Sequence, residues 1–84
     1  MNIVIWSKPN CPYCVAAKDL LSSFRLKFEE RVVGVDYTRE QFFESNLNVT
    51  TVPQIYIEGT HVGGYEKLVE YIETTGFNGT GHTL

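Results

Sequence analysis

The residues able to do chemistry gather in one short stretch, Ser7-Lys8-Pro9-Asn10-Cys11-Pro12-Tyr13-Cys14, which carries both cysteines of the 84-residue chain. Two thiols three positions apart suit a bond between themselves, because in a helix such residues have Cα atoms about 5 Å apart, within the span a disulfide accepts. Reversible thiol–disulfide exchange is the first chemistry this pattern suggests. A zinc site would need about four ligands and would have to recruit His61 and His82, whose separation does not match the usual histidine spacing. A static cross-link is disfavoured wherever glutathione keeps thiols reduced. An iron–sulfur cluster shared between two subunits, with Cys11 of each and added thiols as ligands, stays open at this level. Turn or solvent positions account for the two histidines, and neither is assigned a catalytic task.

What must position the pair is a strand running into a helix. Asn2-Ile3-Val4-Ile5-Trp6 is an apolar, β-branched run that reads as a strand buried on both faces, with Trp6 in the core. Lys8, Pro9 and Asn10 break it, and Pro12 suits a first helical turn, where its missing N–H has no partner in any case. Ala17, Leu20, Leu21 and Phe24 then recur at helical spacing and predict a helix over residues 13–26, with Lys18, Asp19 and Arg25 turned to solvent. Cys11 falls at the helix N-terminus and Cys14 one turn inside. At that end free backbone N–H groups and the helix dipole favour an anion, and Lys8 adds a cation. Cys11 is therefore expected to be the exposed, readily ionised nucleophile and the better leaving group in exchange. Cys14, nearer the core, is expected to be the resolving thiol.

Phe28, Val32 and Val33 mark a second strand within residues 28–35, closed by Gly34 and Asp36. Thr38-Arg39-Glu40-Gln41 fits a capping box. It opens a helix over residues 39–47, in which Phe42, Phe43 and Leu47 can pack and which Asn46 and Asn48 bring to an end. Residues 54–58 form a third strand, Glu58-Gly59-Thr60 a tight turn and His61-Val62 the start of a returning strand. After Gly63-Gly64, the spacing of Tyr65, Leu68, Val69 and Ile72 predicts a last helix. Residues 77–84, glycine-rich and aperiodic, read as a flexible tail to a single domain over residues 1–76. The order βαβαββα, with a right-handed first crossover, predicts an α/β fold with a four-stranded mixed sheet flanked by helices.

Bulk composition narrows the partners. Hydrophobic residues make up 43% and charged residues 20% of the chain, ordinary for a globular domain. With a net charge of −3 and no cluster of lysine or arginine, a basic surface for nucleic acid or an anionic membrane is disfavoured. No apolar run approaches the ~20 residues of a membrane span, and the first residues lack the basic lead of a signal peptide. A cytoplasmic, monomeric protein is expected.

Three motifs together resemble the glutaredoxin family: Lys8-Pro9-Asn10-Cys11-Pro12-Tyr13-Cys14, then Thr51-Val52-Pro53, then Gly63-Gly64 before the last helix, in that order within residues 2–75. The resemblance implies a thioredoxin-like fold and an enzyme that reduces protein disulfides and glutathione mixed disulfides through Cys11 and Cys14. Glutathione would be its reducing co-substrate, and no metal would be needed. It also implies a glutathione site. Thr51 and Val52, before a cis-Pro53, would pair with the peptide backbone like an added strand. Gly64 at a helix N-terminus would take one carboxylate, Lys8 the other, and Tyr13 would cover the ligand. The family usually follows its glycines with a small residue or cysteine and two aspartates, whereas this chain has Tyr65-Glu66-Lys67. Glu66 can replace the first aspartate with a longer arm, Tyr65 adds bulk beside the groove, and Lys67 reverses a charge. Two alternatives accompany this reading. One is a dedicated electron donor to ribonucleotide reductase, recharged by thioredoxin reductase. The other is a cluster-binding member, against which Pro12 weighs mildly, since cluster-holding members more often carry glycine or serine there.

Overall fold

A computed structural model describes residues 2–46 and 49–75. The expected contributions of Leu47 and Asn48, the tail over residues 77–84 and His82 lie outside the described residues. The hub of the fold is β1 (Ile3–Ser7). It pairs in parallel with β2 (Glu29–Val32) and antiparallel with β3 (Gln54–Ile57), which pairs antiparallel with β4 (Thr60–Gly63). The resulting order, β2-β1-β3-β4, is the mixed four-stranded sheet expected from the element order. The helices are α1 (Pro12–Ser23), α2 (Arg39–Ser45) and α3 (Tyr65–Thr75).

Strand alternation explains why β1 is buried on both sides. Ile3 and Ile5, with Ile55 and Ile57 of β3, form one core with Ala17 and Leu21 of α1 and Leu68 of α3. Trp6 points to the opposite face, where its ring meets Tyr37 at 5.0 Å and Phe42 of α2 at 5.5 Å, both edge-on. Apolar side chains of β1 thus tie two helical layers to one strand. That strand ends directly before the cysteine-bearing loop.

Local chemistry sets the element ends. The capping box at α2 is formed: Thr38 Oγ1 accepts the Gln41 backbone N–H at 3.1 Å, and Gln41 Oε1 accepts that of Thr38 at 2.8 Å. The two-residue turn between β3 and β4 has positive φ at both central positions, 52° at Glu58 and 78° at Gly59. That is the type I′ geometry whose twist matches a hairpin. The first helix is shorter than expected, stopping at Ser23 rather than residue 26. Arg25 takes the left-handed conformation, φ 58°, while its N–H bonds Ser22 O at 2.9 Å and the Leu26 N–H bonds Leu21 O at 3.2 Å. These two bonds close a helix end that glycine usually makes, and arginine there gives no warning in the sequence. The second strand also contracts, to Glu29–Val32, because Gly34 (φ 91°) and the Asp36 carboxylate, accepting the Val32 N–H at 3.1 Å, turn the chain away. Among the described residues no helix is long and apolar enough to cross a membrane.

Candidate active site

Cys11 is the N-cap of α1, with extended backbone, and Pro12 occupies the first helical position. Cys11 Sγ accepts the Cys14 backbone N–H at 3.2 Å, so one unpaired donor of the helix end already points at this sulfur. No acidic residue lies in the first turn to oppose negative charge there. Cys11 and Cys14 are joined as a disulfide, with Cα atoms 5.2 Å apart. In this oxidised state Cys11 is only 7% exposed and Cys14 only 1%. The order of exposure is as expected, but Cys11 is not the exposed residue the sequence suggested.

Two concave surfaces flank the pair. A groove of about 330 Å³ is lined by Tyr13, Thr51, Val52, Pro53, Gly64, Tyr65, Glu66 and Lys67. It brings together seven of the eight residues expected to hold glutathione. The eighth, Lys8, lines a cleft of about 540 Å³ with Cys11 and Cys14, and a further one of about 620 Å³ with Thr51 and Val52. The Val52–Pro53 peptide bond is cis. Tyr13 is 63% exposed, and its ring lies 6.2 Å from that of Tyr65, so the added bulk at position 65 stands at the mouth of the groove. Lys67 is directed to solvent beside Glu70, 3.8 Å away.

Two structural devices hold the groove. Buried Gln54 donates from Nε2 to the Thr51 carbonyl at 3.0 Å, while its Oε1 lies 2.7 Å from His61 Nε2. The loop before Pro53 therefore hangs from the β3–β4 hairpin, and His61, stacked on Tyr56 at 4.8 Å, has a structural role rather than a turn position alone. Tyr56 in turn donates to Asn46 Oδ1 at 2.6 Å at the end of α2, and burial pushes its phenol pKa up. The second device is Gly63. Its φ is 119°, and a Cβ there would stand 3.0 Å from the Lys67 side chain. Gly63→Ala is expected to cost about 1–3 kcal/mol through backbone strain and crowding, read as a lower denaturation midpoint in urea. Gly64 has a milder constraint, a Cβ meeting Pro53 O at 3.5 Å, which brings the start of α3 against the cis-proline loop.

The sequence reading placed Lys18 in solvent, and the structure corrects this. Lys18 Nζ donates to Glu30 Oε2 at 2.8 Å, and the same oxygen accepts from Ser7 Oγ at 2.7 Å. The hydrogen bond from Lys18, then that from Ser7, hold the Glu30 carboxyl below its ordinary pKa. A depressed folded-state pKa contributes stability that is present above the unfolded glutamate value and is lost as pH falls through the folded one. Lys18→Gln should therefore flatten the acid limb of a urea midpoint against pH profile. Both side chains line the cysteine cleft. The spacing was a legible signal: Lys18 follows Cys14 by four residues, hence on the same helix face.

A cysteine pair at the start of a helix, on a mixed sheet with a cis-proline loop beside it, defines a thioredoxin-like redox protein. A family model described as glutaredoxin matches residues 3–62. Glutaredoxin 3 of Escherichia coli is 39% identical over 67 residues, 80% of this chain and 81% of its own length. Hybrid peroxiredoxin hyPrx5 of Haemophilus influenzae is 43% identical over 70 residues, 83% of this chain but only 29% of its own. Among solved structures, glutaredoxin 1 of Francisella tularensis complexed with cacodylate superposes with a TM-score of 0.76 at 28% identity, covering 87% of this chain and 93% of that one. The chain belongs to the glutaredoxin family, and its cysteine pair makes it a thiol–disulfide oxidoreductase. The family uses glutathione as a reductant.

Proposed function

We propose that the protein is a glutathione-dependent oxidoreductase acting on protein disulfides and glutathione mixed disulfides in the cytoplasm, as a monomer. The observation carrying this reading is the groove that joins Tyr13, the Thr51-Val52-Pro53 loop and the start of α3 around the helix bearing both cysteines. Cys11 thiolate attacks a glutathionylated protein at the glutathione sulfur, forming a Cys11–glutathione disulfide and releasing the protein thiolate. A second glutathione thiolate attacks that sulfur, giving glutathione disulfide and regenerating Cys11. With a protein disulfide, Cys11 opens the bond, Cys14 then attacks Cys11 and expels the client thiolate, and two glutathiones reduce the resulting Cys11–Cys14 disulfide. Potentials of roughly −200 to −230 mV in this family let a glutathione pool drive both routes.

Within the groove, Thr51 and Val52 supply backbone pairing to the cysteinyl part of glutathione, and Tyr13 covers it. Gly64, Tyr65 and Glu66 take its γ-glutamyl end, Glu66 through the ammonium group, and Lys8 takes the glycine carboxylate from the cleft side. A coupled assay decides the electron donor: NADPH oxidation on a glutathionylated substrate is expected with glutathione and its reductase. Turnover only with thioredoxin reductase would replace this reading by the dedicated-donor one.

Cys14→Ser separates the two routes. It is expected to keep deglutathionylation within about threefold of wild type, since that route needs one thiol, and to cut protein disulfide reduction at least about tenfold. Equal loss of both activities would assign Cys14 a further role.

A further inference from the structure

The cleft under the cysteines holds an ion pair that exchange chemistry, as derived above, does not use. Of the residues lining it, Lys8, Lys18 and Glu30 are charged, and Glu30 is its one carboxylate. Glu30 lies on β2 and Lys18 on α1, so their bond ties the crossover helix to the strand that follows it, with Ser7, the last residue of β1, bonded to the same carboxylate oxygen. Ser7 is 1% exposed and donates to the oxygen that Lys18 also holds. The carboxylate is thereby fixed at one point, and through it the ammonium of Lys18, one helical turn beyond Cys14.

We propose that Glu30 and Lys18 are positioning residues that set the disulfide–dithiol equilibrium of Cys11 and Cys14 with opposite signs. The proposal rests on the dithiol reading above. Reduction converts the Cys11–Cys14 disulfide and two thiols, here two glutathiones, into two protein thiols and one glutathione disulfide. A thiol at a helix N-terminus ionises more readily than a free one, and on ionisation the reduced site gains negative charge that the disulfide lacks. A nearby cation favours that state and a nearby anion opposes it. Lys18 does the first and Glu30 the second. Held together, they present the cleft with a dipole rather than a net charge, leaving Lys8 and the helix end to stabilise the Cys11 thiolate.

The test equilibrates full-length wild type, Glu30→Gln, Lys18→Gln and the double variant with glutathione and glutathione disulfide mixtures, and measures the oxidised fraction by thiol trapping. A unit charge removed from the cleft that the cysteines line should move the equilibrium about three- to tenfold. Glu30→Gln is expected to favour the dithiol and to lower the pH midpoint of Cys11 alkylation. Lys18→Gln is expected to favour the disulfide and to raise that midpoint. The double variant should return near wild type, and Lys18→Arg should match wild type. A purely structural role would move stability without opposite shifts in the equilibrium. Shifts of the same sign, no shift, or a double variant that does not return would overturn the proposal. Should Glu30→Gln fail to fold, the sign of the Lys18→Gln shift decides alone, because that side chain is part-exposed and amenable to change. A wild type that never equilibrates with glutathione would overturn the dithiol reading itself, a distinct outcome.

Discussion

Cys11→Ser is expected to abolish every exchange reaction of this protein, with a loss of at least about a thousandfold in both deglutathionylation and protein disulfide reduction. The reason is ionisation rather than shape. A serine hydroxyl fits the N-cap position of α1 well and can accept the Cys14 N–H in place of Sγ. It does not ionise near neutral pH, and an alcohol oxygen does not exchange with disulfides. The helix should therefore persist while the reaction disappears, a combination that circular dichroism and the coupled assay would register together. Residual turnover above the uncatalysed rate would move the nucleophile to Cys14. That outcome conflicts with the 1% exposure of Cys14, and would require the start of α1 to open.

Trp6→Ala is expected to be the most damaging single change to the fold. Trp6 is 2% exposed, packs on Tyr37 and Phe42, and carries the Arg31 guanidinium 5.2 Å from its ring centroid. Removing a buried tryptophan costs about 3–5 kcal/mol, a large part of the roughly 4–13 kcal/mol available to a domain of this length. It would also detach α2 from the sheet, because Phe42 is the buried residue of that helix. Urea denaturation should show a midpoint lowered by at least about a quarter. The Cys11–Cys14 disulfide should still form, since α1 packs against the opposite face through Ala17 and Leu21. A midpoint within experimental error of wild type would show that Arg31 and Tyr37 can close over the space.

The strongest sequence signals came from elements whose own residues determine their state. Ile3-Val4-Ile5-Trp6 read as a strand buried on two faces because the run is short, β-branched and aromatic, and closes at a proline-bearing break before a helix. The Thr38 capping box was legible because both of its hydrogen bonds lie within four residues. By contrast, the end of α1 depended on Arg25 adopting a left-handed conformation, which no local preference of arginine announces. The close of β2 at Gly34 and Asp36 was legible, but its retreat to Val32 came with the Asp36 carboxylate reaching back to the Val32 N–H.

For the site, composition and spacing determined the reaction type: two thiols at the start of a helix, alone in the chain, admit thiol–disulfide exchange before anything else. They also gave the expectation that Cys11 is the more readily ionised thiol, because a helix N-terminus and Lys8 act through short-range electrostatics readable from position. Tertiary structure alone decided what surrounds the sulfurs. Residues 13, 51–53 and 64–67, far apart in the chain, converge on one groove only because β3 and α3 pack beside α1. Cys11 is 7% exposed in the disulfide, less than its position in the chain suggested, and Lys18 lost its solvent position to Glu30. Those partners lie 12 residues apart, one on α1 and one on β2; helical spacing puts Lys18 on the Cys14 face, but no local pattern along the chain names its partner.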